Sequence, residues 1–368
     1  MVTLIIFIVI LGLLVFVHEL GHFVMAKRSG MAVEEFGFGF PPRLFGIKKG
    51  ETIYSINWIP LGGFVKIVGE DGGDAANPKS FGSKSFGARL AVLAAGVTMN
   101  VIFAWVLISI GLAAGLPTAL DEGETLPGTA KIRDVSVAVI EVAPESPASA
   151  ADFKVGDRII KINGQEVTSI DTVQNLTQEN IDKPTTYTFE RGSTVLEKQV
   201  VPRGNPPADQ GPLGIGLSSV GLVSYPWYVA PWKGLQATIG LIWATLSAFW
   251  TILSNLVGGA PAGVDLTGPV GIAKLTGDVA ALGFVYLLQF TAILSVNLAI
   301  INAVPFPALD GGRILFLIIE KIRRKKMSVN VEQWANTVGF TLLLLLMFFV
   351  TVKDVGRFQL ITKIKDLF

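Results

Sequence analysis

The chain of 368 residues has no cysteine, only two histidines and few charges. Without thiols there is no disulfide framework, no iron–sulfur cluster and no thiol nucleophile. Lys, Arg, Asp and Glu together make up 16% of the residues, whereas soluble domains sit at about a quarter. Thirty basic residues face twenty-nine acidic ones, a net charge of +1. That balance lacks the basic footprint a nucleic-acid binder needs. Apolar residues take the place of charge. They form 51% of the chain, and the mean hydropathy is +0.56. An ordinary soluble enzyme is therefore disfavoured.

The charges are missing in blocks. Uncharged runs cover 2–17, 90–120, 234–264, 279–309 and 333–352. About 20 apolar residues cross the hydrocarbon core as a helix, so each run is a spanning or embedded segment in expectation. The first run has no charged n-region and no small-x-small site after it, which argues against a cleaved leader. It reads as a retained helix over Thr3–Ala26. Residues 121–210 differ sharply, with 24 of the 59 charges. They read as a water-soluble domain inserted between membrane segments.

Basic residues orient the spans. Lys27 and Arg28 follow the first run, and Lys321, Arg323, Arg324, Lys325 and Lys326 lie between the last two. The positive-inside rule places both loops in the cytoplasm. A spanning 234–264 segment would put the second cluster outside. An interfacial or partly embedded helix is preferred there, and Trp227, Trp232, Trp243 and Trp250 suit an interface. A fifth span is the alternative.

This gives a multi-pass α-helical membrane protein with four transmembrane helices. Helix 1 lies within 1–27, a cytoplasmic region covers 35–80, and helix 2 covers 88–117. An extracytoplasmic domain at 121–205 follows, then a linker and amphipathic helix at 206–265. Helix 3 falls within 279–320 and helix 4 at 333–352.

One constellation carries chemistry. His18-Glu19-Leu20-Gly21-His22 is an H-E-x-x-H pattern, and these are the only histidines of the chain. Positions i and i+4 share a helix face. Two imidazoles can therefore hold one Zn²⁺, with Glu19 placed to activate water. Ionisable groups inside a spanning helix are costly and mark function. A catalytic zinc takes a third protein ligand, which here must be a carboxylate. The best candidate is Asp310, in Asn302-Ala303-Val304-Pro305-Phe306-Pro307-Ala308-Leu309-Asp310-Gly311-Gly312. Its prolines break a regular helix, the paired glycines are expected to loosen the backbone, and broken backbone at membrane depth lines a cavity. Asn302 and Asn297 offer amides for an oxyanion or for substrate backbone.

With these residues in place, the chain resembles the site-2 protease family of intramembrane zinc metalloproteases, and within it the bacterial RseP type. The likeness extends to Asn57-Trp58-Ile59-Pro60-Leu61-Gly62-Gly63-Phe64-Val65-Lys66 and Leu266-Thr267-Gly268-Pro269-Val270-Gly271-Ile272-Ala273. It implies His18, His22 and Asp310 as ligands of one zinc ion per chain, and Glu19 as the base. It implies Asn302, with Asn297, as substrate-positioning residues. It also implies a membrane-reentrant β-loop at 54–68, whose Gly62, Gly63, Phe64 and Val65 meet the substrate. In that loop Tyr54–Ile59 reads as a strand, Pro60–Gly63 as a turn and Phe64–Ile67 as a return strand. An open edge there could pair with an unwound substrate.

The inserted segment resembles a PDZ domain of the bacterial protease type. The likeness rests on Ser146-Pro147-Ala148, Gly156-Asp157, Ile159-Ile160 and Ile162-Asn163-Gly164-Gln165. One copy is visible, where some RseP-type enzymes carry two.

The expected function is an endopeptidase of the bacterial inner membrane acting on single-span proteins. Anti-sigma-factor-like proteins already trimmed by another protease, or remnant signal peptides, are the substrate classes. A non-catalytic PDZ scaffold or chaperone is the alternative. A metal transporter is disfavoured, because no inverted repeat is visible.

Overall fold

The computed structural model describes residues 2–70, 76–120, 129–192, 194–208, 210–258, 267–325 and 327–357. The first residues of the expected 121–205 domain, the end of the 206–265 segment, Leu266 and Lys326 lie outside the described residues. In chain order the elements are α1 (Val2–Arg28), β1 (Val33–Lys49), β2 (Thr52–Ile67), α2 (Phe86–Ala114), β3 (Leu116–Ala119), β4 (Lys131–Val142) and α3 (Pro147–Ala150). There follow β5 (Arg158–Ile162), β6 (Gln165–Glu166), α4 (Ile170–Glu179), β7 (Thr185–Arg191), β8 (Thr194–Val200) and β9 (Ile215–Ser224). The chain ends in α5 (Ala230–Val257), α6 (Pro269–Leu282), α7 (Phe284–Ala303), α8 (Asp310–Arg323) and α9 (Val329–Arg357).

Five helices among the described residues are long and apolar enough to cross a membrane: α1, α2, α5, α7 and α9. Length and composition thus admit α5 beside the four expected spans. Trp243 and Trp250 of α5 are exposed, and their spacing of seven puts them on one face.

Two compact units emerge. The first comprises Met1–Leu107, Leu235–Gly277 and Phe290–Phe368. In it α1 and α2 meet backbone to backbone. A Cβ at Gly21 would lie 2.4 Å from the Ala95 carbonyl oxygen, so no larger residue fits there. Ala26, Met31, Val33, Ile67, Val92, Leu93 and Leu317 form a buried cluster that joins these helices to the β-sheet and α8.

The sheet contains the expected reversal within 54–67 and adds β1 to it. β2 is one extended element, but its residues 54–56 and 63–65 lie on either side of the same three β1 residues, so the chain folds back between Ile56 and Gly63, as well as at Gly50. Pro60 and Gly62 (φ +127°) fall within this reversal, as the sequence led one to expect. Phe36 consequently stands opposite both Tyr54 and Val65, with the first part of β1 flanked by the two halves of β2. Among the described residues, β1 is the one ladder partner of 63–67, which leaves their other edge open.

The 279–320 stretch, expected to hold the third span and a break at Pro305 and Pro307, contains the end of α6, all of α7 and most of α8. Gly283 (φ +123°) separates the first two. Pro305, Pro307 and the left-handed Ala308 (φ +74°) separate the last two.

The second unit comprises Ile108–Gly234 and Asp278–Gln289. Its strands form a sheet in the order β3-β9-β4-β5-β7-β8, with β6 on β5. Asn163-Gly164 closes the β5–β6 hairpin with both residues at positive φ, the conformation a two-residue turn demands. Ser146 and Ser169 cap α3 and α4 through their hydroxyls. The core centres on Phe153, Tyr187 and Phe189. Arg191 Nε reaches the buried Asp157 Oδ1 at 2.6 Å. A groove of about 350 Å³ runs between α4 and the first half of β9.

Candidate metal centre

The α1 helix brings His18 and His22 to one buried face. That face is turned to α2, where Gly96 leaves room for the rings. A Cβ at Gly96 would stand 2.4 Å from His22 Nε2 and 2.7 Å from His18 Cε1. His22 Nδ1 donates to the Val92 carbonyl at 2.8 Å. A carbonyl only accepts, so the neutral ring carries its proton on Nδ1 and presents a lone pair at Nε2. His18 Nδ1 contacts the Asn100 amide nitrogen at 3.2 Å.

Asp310 arrives as the first residue of α8, after the irregular 304–309 link. The paired glycines behind it were expected to loosen the backbone, but they compact it. A Cβ on Gly311 would lie 2.2 Å from the Val304 carbonyl oxygen, and one on Gly312 2.2 Å from that of Phe306. The helix start is folded tightly onto its own link. Asn336 of α9 accepts from the Ala308 amide at 3.1 Å and steadies the same turn.

The three side chains converge. Asp310 Oδ2 lies 3.0 Å from His18 Nε2 and 3.2 Å from His22 Nε2, and the two nitrogens are 3.2 Å apart. Asp310 Oδ2 is buried without a hydrogen-bond partner. These are the one His/Asp/Glu cluster of this kind among the described residues. Four tetrahedral ligands at about 2.0–2.1 Å from zinc stand about 3.3 Å from one another. The observed triangle therefore has the size of one face of such a tetrahedron. Three such donors this close repel one another unless a proton or a metal ion lies between them, and the size of the triangle fits a zinc ion.

A cleft of about 520 Å³ opens beside the cluster. Glu19, His22 and Asp310 line it, together with Phe64, Val65 and the rest of the open edge as far as Glu70. Gly62 and Gly63 pack against α1 instead. A Cβ on Gly62 would meet Val15 at 3.0 Å, and one on Gly63 would lie 3.7 Å from Glu19 Cγ. Asn297 and Asn302 are half-buried on α7 and do not line the cleft.

Sequence reasoning passed over several residues. Gly96 and Asn100 belong to the 90–120 run, where Asn100 is a lone amide in apolar surroundings. That isolation was a readable signal. Arg313, one turn beyond Asp310, pairs with Glu70 just after β2 and so ties the sheet to α8. Arg89 of α2 pairs with Glu320 of α8 at 2.9 Å.

Comparison with known proteins places these features in context. Residues 6–346 match the model of peptidase family M50. The chain is 31% identical to the regulator of sigma-W protease RasP of Bacillus subtilis, over 96% of this chain and 98% of that protein. It is 31% identical to the zinc metalloprotease RasP of Geobacillus kaustophilus, with the same coverage of 96% and 98%. It is also 31% identical to the regulator of sigma-E protease RseP of Escherichia coli, over 95% and 98%. That last alignment spans 440 positions against the 368 residues here, so the relative carries inserted sequence that this chain lacks.

Proposed function

The chain belongs to peptidase family M50, and from that premise we propose a zinc metalloendopeptidase that cuts within or beside the transmembrane segments of single-span membrane proteins. The observation that carries this reading is the 3.0–3.2 Å triangle of His18, His22 and Asp310 beside Glu19. When bound there, zinc supplies Lewis-acid polarisation of the scissile carbonyl and makes water acidic enough to attack.

The protein does the rest. Glu19 lines the cleft next to two of the ligands, takes a proton from the attacking water and hands it to the leaving amine nitrogen. The open edge at Phe64 and Val65 receives an extended substrate segment as an added strand. Such capture holds the peptide bond unwound, which a helical substrate would otherwise conceal. Gly62 and Gly63 let β2 lie against α1 so that this edge reaches the cleft. Asn302, at the last turn of α7, and Asn297 are assigned to steadying the substrate backbone.

The proposed topology has four spans, α1, α2, α7 and α9, with α5 at the interface. The meeting of His22, near the end of α1, with Asp310, just after α7, supports it. An additional crossing at α5 would send these two chain positions to opposite faces. The centre then lies toward the cytoplasmic side of the bacterial inner membrane. Residues 121–205 lie outside as a single PDZ-like domain, and the groove between α4 and β9 screens substrates. Two relatives are named as regulators of sigma factors. These names support a trimmed anti-sigma-factor-like protein as substrate, with remnant signal peptides as a second class.

The test is incubation of detergent-purified protein with a single-span model substrate, with and without chelator, reading fragments by mass. Cleavage that chelation stops and zinc restores is expected. A zinc-loaded protein that binds such substrates and leaves them whole would be a scaffold instead.

A further inference from the structure

The inner face of α2 carries a stripe of three positions at i, i+4 and i+8: Val92, Gly96 and Asn100. Each meets the imidazole pair. Val92 accepts from His22 Nδ1 at 2.8 Å. Gly96 leaves the space the rings occupy. Asn100 is fully buried, and its amide is the one hydrogen-bond contact of His18 Nδ1 among the described residues, at 3.2 Å. A buried amide in an apolar helix is retained only against a desolvation penalty. Its place is fixed from the far side as well, because Ser295 of α7 donates to the Asn100 backbone carbonyl at 2.8 Å.

A ligating histidine must carry its proton on the ring nitrogen that faces away from the metal, and that N–H needs an acceptor. For His22 the acceptor is a carbonyl. For His18, among the described residues, the Asn100 side chain alone is in reach of Nδ1, and its Oδ1 has no hydrogen-bond partner there. We propose that Asn100 is the positioning residue for His18, its amide oxygen turned to accept from Nδ1–H so that Nε2 presents its lone pair to the metal. The two ends of an amide interchange by a half-turn about the last side-chain bond, so no backbone movement is required.

This inference rests on the zinc reading above, and one experiment separates the two. Zinc affinity of the detergent-solubilised full chain is measured by competition with a chelator. Asn100→Leu is expected to bind zinc about 10- to 100-fold more weakly, whereas Asn100→Asp, which keeps an acceptor, stays close to wild type. Asn100→Ser, too short to reach the ring, carries the same expectation as Asn100→Leu should the latter fail to fold. In a His18→Ala background, Asn100→Leu should weaken zinc no further. Equal affinity of the wild type and a folded Asn100→Leu or Asn100→Ser protein overturns the assignment, as does an undiminished loss in the His18→Ala background. A wild type that binds no zinc overturns the metal reading itself.

Discussion

At the scale of single residues, the site consists of two imidazoles and a carboxylate whose spacing fits one shared cation. His22→Phe removes one corner of the triangle without removing the apolar ring that packs against α2. The purified variant should lose its stoichiometric zinc by metal analysis while still folding. Glu19→Gln keeps nearly the same shape and touches no ligand-to-ligand contact. It should retain zinc, and its cleavage rate should fall by about 10²–10⁴, the range for a lost general base. A Glu19→Gln protein that cleaves at the wild-type rate would refute the role given to this carboxylate. Gly96 tests the fit from the other side. The added methyl of Gly96→Ala would overlap His22 Nε2, so the variant should bind little zinc although it alters no donor.

At the scale of elements, the centre depends on how a helix is interrupted. The 304–309 link turns the chain so that α8 begins on Asp310, and Gly311 and Gly312 allow its first turn to close onto the carbonyls of the link. Gly311→Ala introduces a collision with backbone, which cannot move aside as a side chain can. Overpacking of this kind costs about 1–3 kcal/mol, and here the strain falls on the residue before it. A lower midpoint of thermal unfolding together with reduced zinc content is expected; wild-type values for both would show that the link tolerates displacement. The sequence made part of this legible. His18 and His22 announce themselves because helical spacing is fixed at 3.6 residues per turn, and Asp310 because prolines interrupt an apolar run. β1 was hidden. Gly37, Gly39, Gly46 and Pro41-Pro42 look like breakers, yet they serve a bent strand whose first part is paired on both sides. Asn100 stood out as a lone amide, but its partner did not, since a single amide within a spanning helix has no periodicity to betray what it meets.

At the scale of the whole molecule, topology decides whether the proposed chemistry is reachable at all. The absence of cysteine makes that testable without first clearing a background. Single cysteines at Glu166, Arg28 and Arg323, all exposed positions, report the side on which each lies. With four spans, Glu166→Cys should react with an impermeant maleimide on intact spheroplasts. Arg28→Cys and Arg323→Cys should react only after permeabilisation. Labelling of Arg28→Cys and Arg323→Cys from opposite sides would require α5 to cross. The open border of β2 along residues 63–67 has a consequence of its own. A ladder edge grips amide and carbonyl groups, which every residue shares, and is nearly blind to the identity of the side chains. Discrimination among targets would then fall to how readily each one frays: a glycine-rich stretch should be consumed quickly, and a polyleucine stretch of equal length should outlast it.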